Sequence, residues 1–295
     1  MFKFFFLTTG FLFFSFCFFE KGSMAFDIKK VRSNTELSYP WLSEKVSKKE
    51  TLGERILPPQ GYKRMSQSNA SFANWLLNLP LEKQGTPVLL FNGKQKPYQA
   101  GAFAVIKMDI GQQDLQQCAD AVMRLKAEYH FSKKEFNKIH FNYTSGHKIA
   151  FSDWAKGIKP KVNGNKVTFS APNGKEDYSY NNFKKYLNNV FMFAGTASLE
   201  KELKKVPNIQ EVQPGDVFIK GGFPGHAIIV MDVAINDKNQ KVFLLAQSYM
   251  PAQSIHILNN LNHKQMSPWY SLEAFEKLQT PEWTFETGNL KRFVQ

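Results

Sequence analysis

The chain has 295 residues, a formal charge of +13 at pH 7 and 43% hydrophobic residues. That length allows one large domain or two modest ones, with enough apolar side chains for a sizeable core. The lysines are spread over many short groups, whereas a nucleic-acid-binding surface would show a more clustered basic patch. This charge is compatible with attraction to the anionic polymers of a bacterial envelope.

The first 23 residues have the layout of a secretory signal peptide or an N-terminal anchor. One early lysine precedes a mostly apolar run, which Glu20 and Lys21 end. We therefore expect an exported protein of the periplasm or cell envelope that meets the membrane only through this segment. A lipid anchor at Cys17 is disfavoured because the large Phe16 precedes it. Removal of the leader would leave Cys118 unpaired, which excludes a disulfide framework.

Residues 24–53 are polar and charged and predict a linker, followed by one domain over 54–295. Near its start, residues 71–81 have apolar side chains at helical spacing and end in a proline. The stretch "TPVLLFNG" predicts a strand with an Asn-Gly turn. Residues 101–111 predict a second strand, buried because it is apolar at nearly every position.

The next segment, "GQQDLQQCADAVMRLKAEYHF", predicts a helix with a well-marked start. Asp114 is a suitable N-cap, and Gln117 three residues later completes a capping-box pattern. One apolar stripe at helical period includes Leu115, Cys118 and Val122. Cys118 is therefore expected in the first helical turn.

Residues 131–205 predict an inserted segment with short aromatic strands, then a helix, a break of small residues and a second helix. Three strands are expected afterwards, over 216–220, 226–234 and 241–248, and "SIHILNN" favours a fourth. The short polar turn "NDKNQ" predicts that the second and third strands form an antiparallel hairpin.

His226 stands where the second of these strands begins, directly after the loop "GGFPG". A hairpin centred near Asp237 would bring Gln247 opposite His226 or within two residues of it, on the same face. Asp232 shares that face by alternation, but six residues along a strand is about 20 Å. Gln247, and not Asp232, is therefore the predicted partner of His226.

Cys118 and His226 together suggest nucleophilic catalysis. A thiol nucleophile needs a base to accept its proton, and a helix N-terminus near the sulfur favours the thiolate. We expect Cys118 to attack, His226 to act as base and then acid, and Gln247 to orient the ring. Gln112, six residues before the cysteine, could offer an amide to the oxyanion beside the backbone N–H of Cys118.

A capped helix that bears Cys118, followed by "PGDVF" and then "GHAIIV", resembles the papain-like cysteine hydrolases of the NlpC and CHAP types. The longer phrases "DLQQCADAVMRL", "PGDVFIKGGFPGHAIIVMDVA" and "LLAQSYMPAQSIHIL" resemble a bacterial domain-of-unknown-function family, number 4846, over about residues 54–295. The resemblance implies an α+β fold in which an antiparallel sheet packs against the Cys-bearing helix. It also implies a hydrolase that cleaves an amide bond in peptidoglycan peptides.

Two departures leave the substrate class open. Gln117 and Ala119 flank Cys118 where the NlpC type usually has aspartate and serine, and the insertion before His226 is long. One alternative is a non-catalytic envelope protein that binds a glycan or peptide in the same groove. Another is acyl transfer to or from lipid.

No metal or cofactor is predicted, because no histidine pair or cysteine pair has the spacing of a zinc site. This applies to the five histidines outside the proposed pair, namely His130, His140, His147, His256 and His263. Nothing in the sequence indicates the oligomeric state.

Overall fold

A computed structural model describes residues 1–2, 36–271 and 277–294. Within these ranges the chain forms six α-helices: α1 Leu52–Arg55, α2 Phe72–Leu77, α3 Cys118–Ser132, α4 Phe151–Ala155, α5 Tyr180–Phe193 and α6 Thr196–Glu202. The same ranges contain seventeen strands: β1 Glu36–Leu37, β2 Val46–Ser47, β3 Tyr62–Arg64, β4 Ala102–Val105, β5 His140–Asn142, β6 Lys148–Ala150, β7 Pro160–Asn163, β8 Lys166–Phe169, β9 Lys204–Lys205, β10 Val217–Lys220, β11 His226–Asn236, β12 Lys241–Gln247, β13 His256–Leu258, β14 Tyr270–Ser271, β15 Lys277–Gln279, β16 Thr284–Glu286 and β17 Leu290–Arg292.

Nine of the described strands form one antiparallel sheet. Its main path runs β4, β13, β12, β11, β10, β17 and β9, while β14 pairs with β12 and β3 pairs with β11. The predicted hairpin is confirmed, because β11 and β12 are antiparallel neighbours joined by the short polar turn. The fourth predicted strand is β13, which pairs with both β12 and β4. The α+β class with a large antiparallel sheet is therefore established.

The two faces of this sheet are covered differently. Alternate residues of β11, such as Ala227 and Ile229, join the core that contains α3. Ile228 and Val230 point to a second, smaller core, which includes Phe285 of the β15–β16 hairpin. Because both faces are covered, β11 is apolar at successive positions rather than alternating with polar residues.

A β-bulge between Val230 and Asp232 interrupts the regular alternation in β11. The expectation that Asp232 continues the face of His226 therefore does not hold, because Val233 takes that place in the smaller core. Asp232 accepts a hydrogen bond from Arg64 Nε at 2.6 Å, so its carboxylate is used away from His226.

The inserted segment forms two hairpins, β5–β6 and β7–β8, followed by α5 and α6. Its side chains, including Phe183 and Tyr186, complete the core around α3. Helix α3 is therefore buried nearly all round, and not along one stripe only. Among the described residues, no helix has the length and apolar character needed to cross a membrane.

Part of the segment predicted as a linker, residues 36–53, belongs to the folded body. Tyr39, Val46 and Leu52 are buried, and the Tyr39 and Trp41 rings lie 4.9 Å apart. Residues 24–35, Cys17 and the predicted leader, apart from Met1 and Phe2, lie outside the described residues. The prediction of a strand in "TPVLLFNG" is wrong, because Leu89 and Leu90 form only isolated β-bridges.

Candidate functional site

Cys118 is the first residue of α3, as the sequence predicts for the first helical turn. The N-cap is Gln117 and not Asp114, because Asp120 Oδ2 accepts a hydrogen bond from the Gln117 N–H at 3.1 Å. Asp114 Oδ1 instead accepts from Gln117 Nε2 at 3.0 Å and from the Ala252 N–H at 2.6 Å. These contacts fix the turn that leads into the helix and so the position of the thiol.

The Cys118 thiol is 8% exposed and lies against the first peptide of β11. The backbone N–H groups of Ala227, Ala119 and Cys118 itself act to lower the pKa of the thiol. Burial, reinforced by the charge of Asp120, nevertheless raises the pKa of the thiol to about 11. The prediction of a stabilised thiolate is therefore wrong for the free protein, because desolvation outweighs the N–H groups at the helix start.

His226 begins β11 directly behind a close crossing of two backbone segments. A side chain at Gly225 would place its Cβ 2.5 Å from the Gly222 carbonyl oxygen and 2.8 Å from that of Lys220. Only glycine fits such an approach, which explains the glycine-rich stretch before the histidine. The loop thus delivers the imidazole to the end of the sheet at a defined position.

The imidazole of His226 has a tautomer that its neighbours define. Gln247 Nε2 donates to Glu282 Oε2 at 2.7 Å and lies 3.4 Å from His256 Nε2, so its amide nitrogen faces two acceptors. The His256 Nδ1–H donates to the carbonyl oxygen of Ser254 at 2.9 Å, which leaves His256 Nε2 as an acceptor. The remaining atom, Gln247 Oε1, must then accept from His226 Nε2–H at 2.9 Å.

His226 Nδ1 therefore carries a lone pair and can act as a base. No hydrogen bond to this atom is formed by any residue that the structure describes, the thiol of Cys118 included. Burial lowers the pKa of His226 to about 4, despite the opposing hydrogen bond to Gln247. The thiol and the ring are thus both uncharged in the free protein at neutral pH.

Cys118 and His226 line one cavity of about 780 Å³. Tyr249 and Trp283 line it as well, with ring centroids 4.7 Å and 5.4 Å from that of His226. The rim is apolar and exposed at three lining residues, namely Phe223, Met192 and Met250. The Cys118 thiol, the His226 imidazole and the cavity thus lie together at the end of the sheet.

Gln112 lies outside this arrangement. It is exposed and lines a separate cavity of about 310 Å³ together with Asn188. The prediction that the Gln112 amide donates to an oxyanion at Cys118 is therefore corrected, because its side chain lines a different cavity from that of the thiol. The turn between Gly111 and Gln117 lengthens the path to the helix, so counting residues back from the cysteine does not place this side chain at the sulfur.

Four residues near the pair are not identified by the sequence pattern. Lys96 is buried and pairs with Glu282, which in turn holds Gln247. His256 packs beside Gln247, although no spacing rule singles it out, and Tyr249 covers the ring of His226. His256 lies on the predicted fourth strand directly opposite Gln247, so correct strand pairing would have found it. Lys96 and Glu282 carry no comparable signal.

The described residues contain no group of three or more His, Cys, Asp or Glu side chains that could hold a metal ion.

Comparison with known proteins gives one match. The family model described as domain of unknown function (4846) matches residues 52–292, which include Cys118, His226 and Gln247. No curated protein and no solved structure matches the chain. Since the matched residues span most of its length, the chain belongs to the domain-of-unknown-function family 4846.

Proposed function

We propose that this protein is a cysteine hydrolase with a papain-like fold, which cleaves an amide bond. The observation that carries the proposal is the Nε2–H tautomer of His226, fixed by the 2.9 Å hydrogen bond to Gln247. It leaves Nδ1 as a base on a residue that lines the same cavity as the Cys118 thiol.

In the reaction, His226 Nδ1 accepts the thiol proton while Cys118 Sγ forms a bond to the substrate carbonyl carbon. The carbonyl π electrons move to oxygen, and the N–H groups around the sulfur can donate to that oxyanion. Collapse breaks the C–N bond, and His226 returns the proton to the leaving amine. Water, deprotonated by His226, then attacks the thioester carbonyl; the C–S bond breaks, the acid is released, and His226 returns the proton to Cys118 Sγ.

Proton transfer from Cys118 to His226 is uphill in the free site, because burial raises the pKa of the thiol and lowers that of the ring. A bound substrate must therefore shift the electrostatics of the cavity before the thiol attacks. Such a site would be nearly inert until its substrate arrives, which suits an enzyme that acts on the envelope of its own cell.

Peptidoglycan peptide is the substrate class that we propose, with the chain exported by its first 23 residues. The support is the resemblance to NlpC-type and CHAP-type hydrolases and the net charge of +13, which favours anionic polymers. Fractionation of cells that express the full chain should recover it outside the cytoplasm. Recovery of the uncleaved chain in the cytosol would remove the envelope from the proposal.

The catalytic part is tested with purified cell-wall peptides and mass spectrometry. The wild-type chain should release free amine and acid ends, His226→Ala should be slower by about 10² to 10⁴-fold, and Cys118→Ala should release none. Native Cys118 should react with iodoacetamide only slowly at pH 8, and faster as the pH approaches its raised pKa of about 11.

A wild-type chain that releases no more amine ends from cell-wall peptides than Cys118→Ala would overturn the hydrolase. The cavity would then serve to bind a glycan or peptide without cleaving it.

A further inference from the structure

We infer that Asp120 binds a primary ammonium group of the substrate in the cavity that contains Cys118. This inference rests on the proposed hydrolase and narrows its substrate class to amides with a free amine close to the scissile bond. It gives the first turn of α3 two tasks, attack by Cys118 and recognition by Asp120.

The first observation is an unsatisfied oxygen. The Asp120 side chain is 5% exposed, and its Oδ2 accepts from the Gln117 N–H at 3.1 Å. Its Oδ1 is buried and has no hydrogen-bond partner among the residues that the structure describes. Leaving a buried carboxylate oxygen unpaired costs free energy, so a partner from outside the protein would be stabilised there. Asp120 lines the cavity, which gives such a partner a way in.

The second observation is the charge of the cavity. Two carboxylates, Asp114 and Asp120, are among the described residues that line it, whereas none of those residues is a lysine or arginine. This is the reverse of the chain as a whole, whose formal charge is +13. Both hydrogen bonds that Asp114 accepts reach its Oδ1, and Asp114 is exposed, so water can satisfy its other oxygen. Asp120 is buried, so it is the carboxylate that gains more from a cationic ligand.

The contacts favour an ammonium group over other cations. Only one oxygen of Asp120 is free, which suits a single N–H donor rather than the bidentate fork of a guanidinium. The neighbouring lining residues Phe191, Met192 and Ala194 supply apolar surface and no further carboxylate. They can pack against the carbon stem of an amine but cannot complete the oxygen shell of a metal ion.

The position of Asp120 sets the distance to the reacting bond. Asp120 and Cys118 line the same cavity, and the carboxylate lies close enough for its charge to act on the thiol, while an extended peptide advances about 3.4 Å per residue. The ammonium group therefore belongs one or two residues from the amide that Cys118 attacks. A free peptide N-terminus or the amine of a short diamino side chain meets this requirement.

Binding of such a group would also activate the thiol. The charge of Asp120 contributes to the raised pKa of Cys118, and a bound ammonium would neutralise that charge. The thiolate would then be favoured only while the correct substrate is present. This supplies the electrostatic shift that the free site lacks.

Three small thiol reagents of different charge test the inference on the full-length protein. They are 2-aminoethyl methanethiosulfonate, methyl methanethiosulfonate and 2-sulfonatoethyl methanethiosulfonate, which are cationic, neutral and anionic. Rates at Cys118 are divided by the rates of the same reagents with a small free thiol. The cationic reagent should be favoured over the neutral one by about tenfold, and the anionic reagent should be the slowest.

Asp120→Asn should abolish this preference, because the asparagine keeps the acceptor for the Gln117 N–H but loses the charge. Glu176→Gln is the matched control, since Glu176 is exposed and does not line the cavity. It removes one negative charge and should keep the preference. The preference within the wild-type chain does not depend on any variant folding.

The outcomes separate the inference from the proposed function. A reactive thiol with equal corrected rates for all three reagents would overturn ammonium recognition and leave the hydrolase standing. Ammonium recognition is overturned in the same way if the preference survives in Asp120→Asn. A native thiol that reacts with none of the reagents would overturn ammonium recognition alone, and a wild-type chain that releases no amine ends from cell-wall peptides would overturn the hydrolase and, with it, this inference.

Discussion

Helix α3 carries buried carboxylates at two places, and among the described residues only the second has a cation beside it. At its start, Asp120 has one oxygen without a partner among the described residues. One turn further on, the buried Arg124 contacts Glu128 at 3.4 Å and Asp109 at 2.5 Å. Tyr180 donates to Glu128, and Lys184 pairs with Asp109. We refer to Cys118–Asp120 as the thiol end. Arg124 and the four residues just named around it are the ion cluster.

The pKa values of two aspartates express the difference. Although burial acts in the other direction, Arg124 and Lys184 lower the pKa of Asp109 to about 2. Burial raises the pKa of Asp120 well above its ordinary value, and no cation of the described residues offsets this effect. Charges that the protein pairs internally hold α3 in the core, and a charge that it leaves unpaired beside a cavity is available to a ligand. The comparison can be tested by changing one region at a time.

The largest expected effect is the loss of chemistry in Cys118→Ala. Amide hydrolysis should fall by more than about 10³-fold, while the free energy of unfolding falls by only about 1 kcal/mol, because a small buried group is removed. Peptide release and urea unfolding measure the two quantities. An unfolding loss of several kcal/mol with intact hydrolysis would assign the thiol end to the core.

Arg124→Met should show the reverse pattern. Glu128 would keep a buried charge without its cation, so we expect a loss of about 3 to 5 kcal/mol in the free energy of unfolding. The preference of Cys118 for the cationic reagent should remain in the fraction that is folded. The double variant with Glu128→Met is the control and should recover much of the loss, since it removes both charges.

Acid should act on the buried histidines beside the thiol end and on the ion cluster in different pH ranges. Burial lowers the pKa of His226 and of His256 to about 4, so the unfolded chain binds their protons first. Their stabilisation is complete above about pH 6.5 and is lost as the pH falls toward 4, by roughly 3 kcal/mol for each histidine. Asp109 of the ion cluster has a lowered pKa, so the stability that its carboxylate gives is lost only as the pH falls from its ordinary pKa of 3.8 to about 2.

Urea unfolding between pH 7 and 2 measures these two losses of stability. His226→Asn is the control, and it should reduce only the loss in the upper range, which the histidines cause. Asp232 acts in the opposite direction, because burial raises its pKa to about 6 and protonation there favours the folded state. A stability that is flat from pH 7 to 4 in the wild type and unchanged in His226→Asn would contradict the buried, neutral histidine.

The smallest effect is expected for Asp120→Asn. The raised pKa of Asp120 means that its ionisation destabilises the folded state as the pH rises above the ordinary value of 3.8. The variant should therefore gain about 1 kcal/mol at neutral pH and nothing below about pH 4. Neutral thiol reagents should react faster with it, since the pKa of Cys118 falls. A loss of stability at neutral pH would place Asp120 with the ion cluster.

The local pattern of the sequence is enough to predict much of this site. Alternation and the short polar turn predict the β11–β12 hairpin and bring Gln247 to His226, and the helical period places Cys118 in the first turn of α3. These features depend on neighbours along the chain or across one tight turn, which the order of residues largely decides. The same local reasoning fails for Gln112, because a turn before α3 redirects the chain.

Only the tertiary structure decides how the site is charged. Glu282 reaches Gln247 from 35 residues away and Lys96 from 186 residues before Glu282, and no local pattern predicts either contact. Helical position alone predicts a lowered pKa for Cys118, but the surrounding core desolvates the thiol and raises it. The free oxygen of Asp120 depends likewise on what the rest of the described fold leaves beside it. Desolvation and long-range pairing are sums over the whole packed chain, whereas the period of a helix or strand belongs to its own residues.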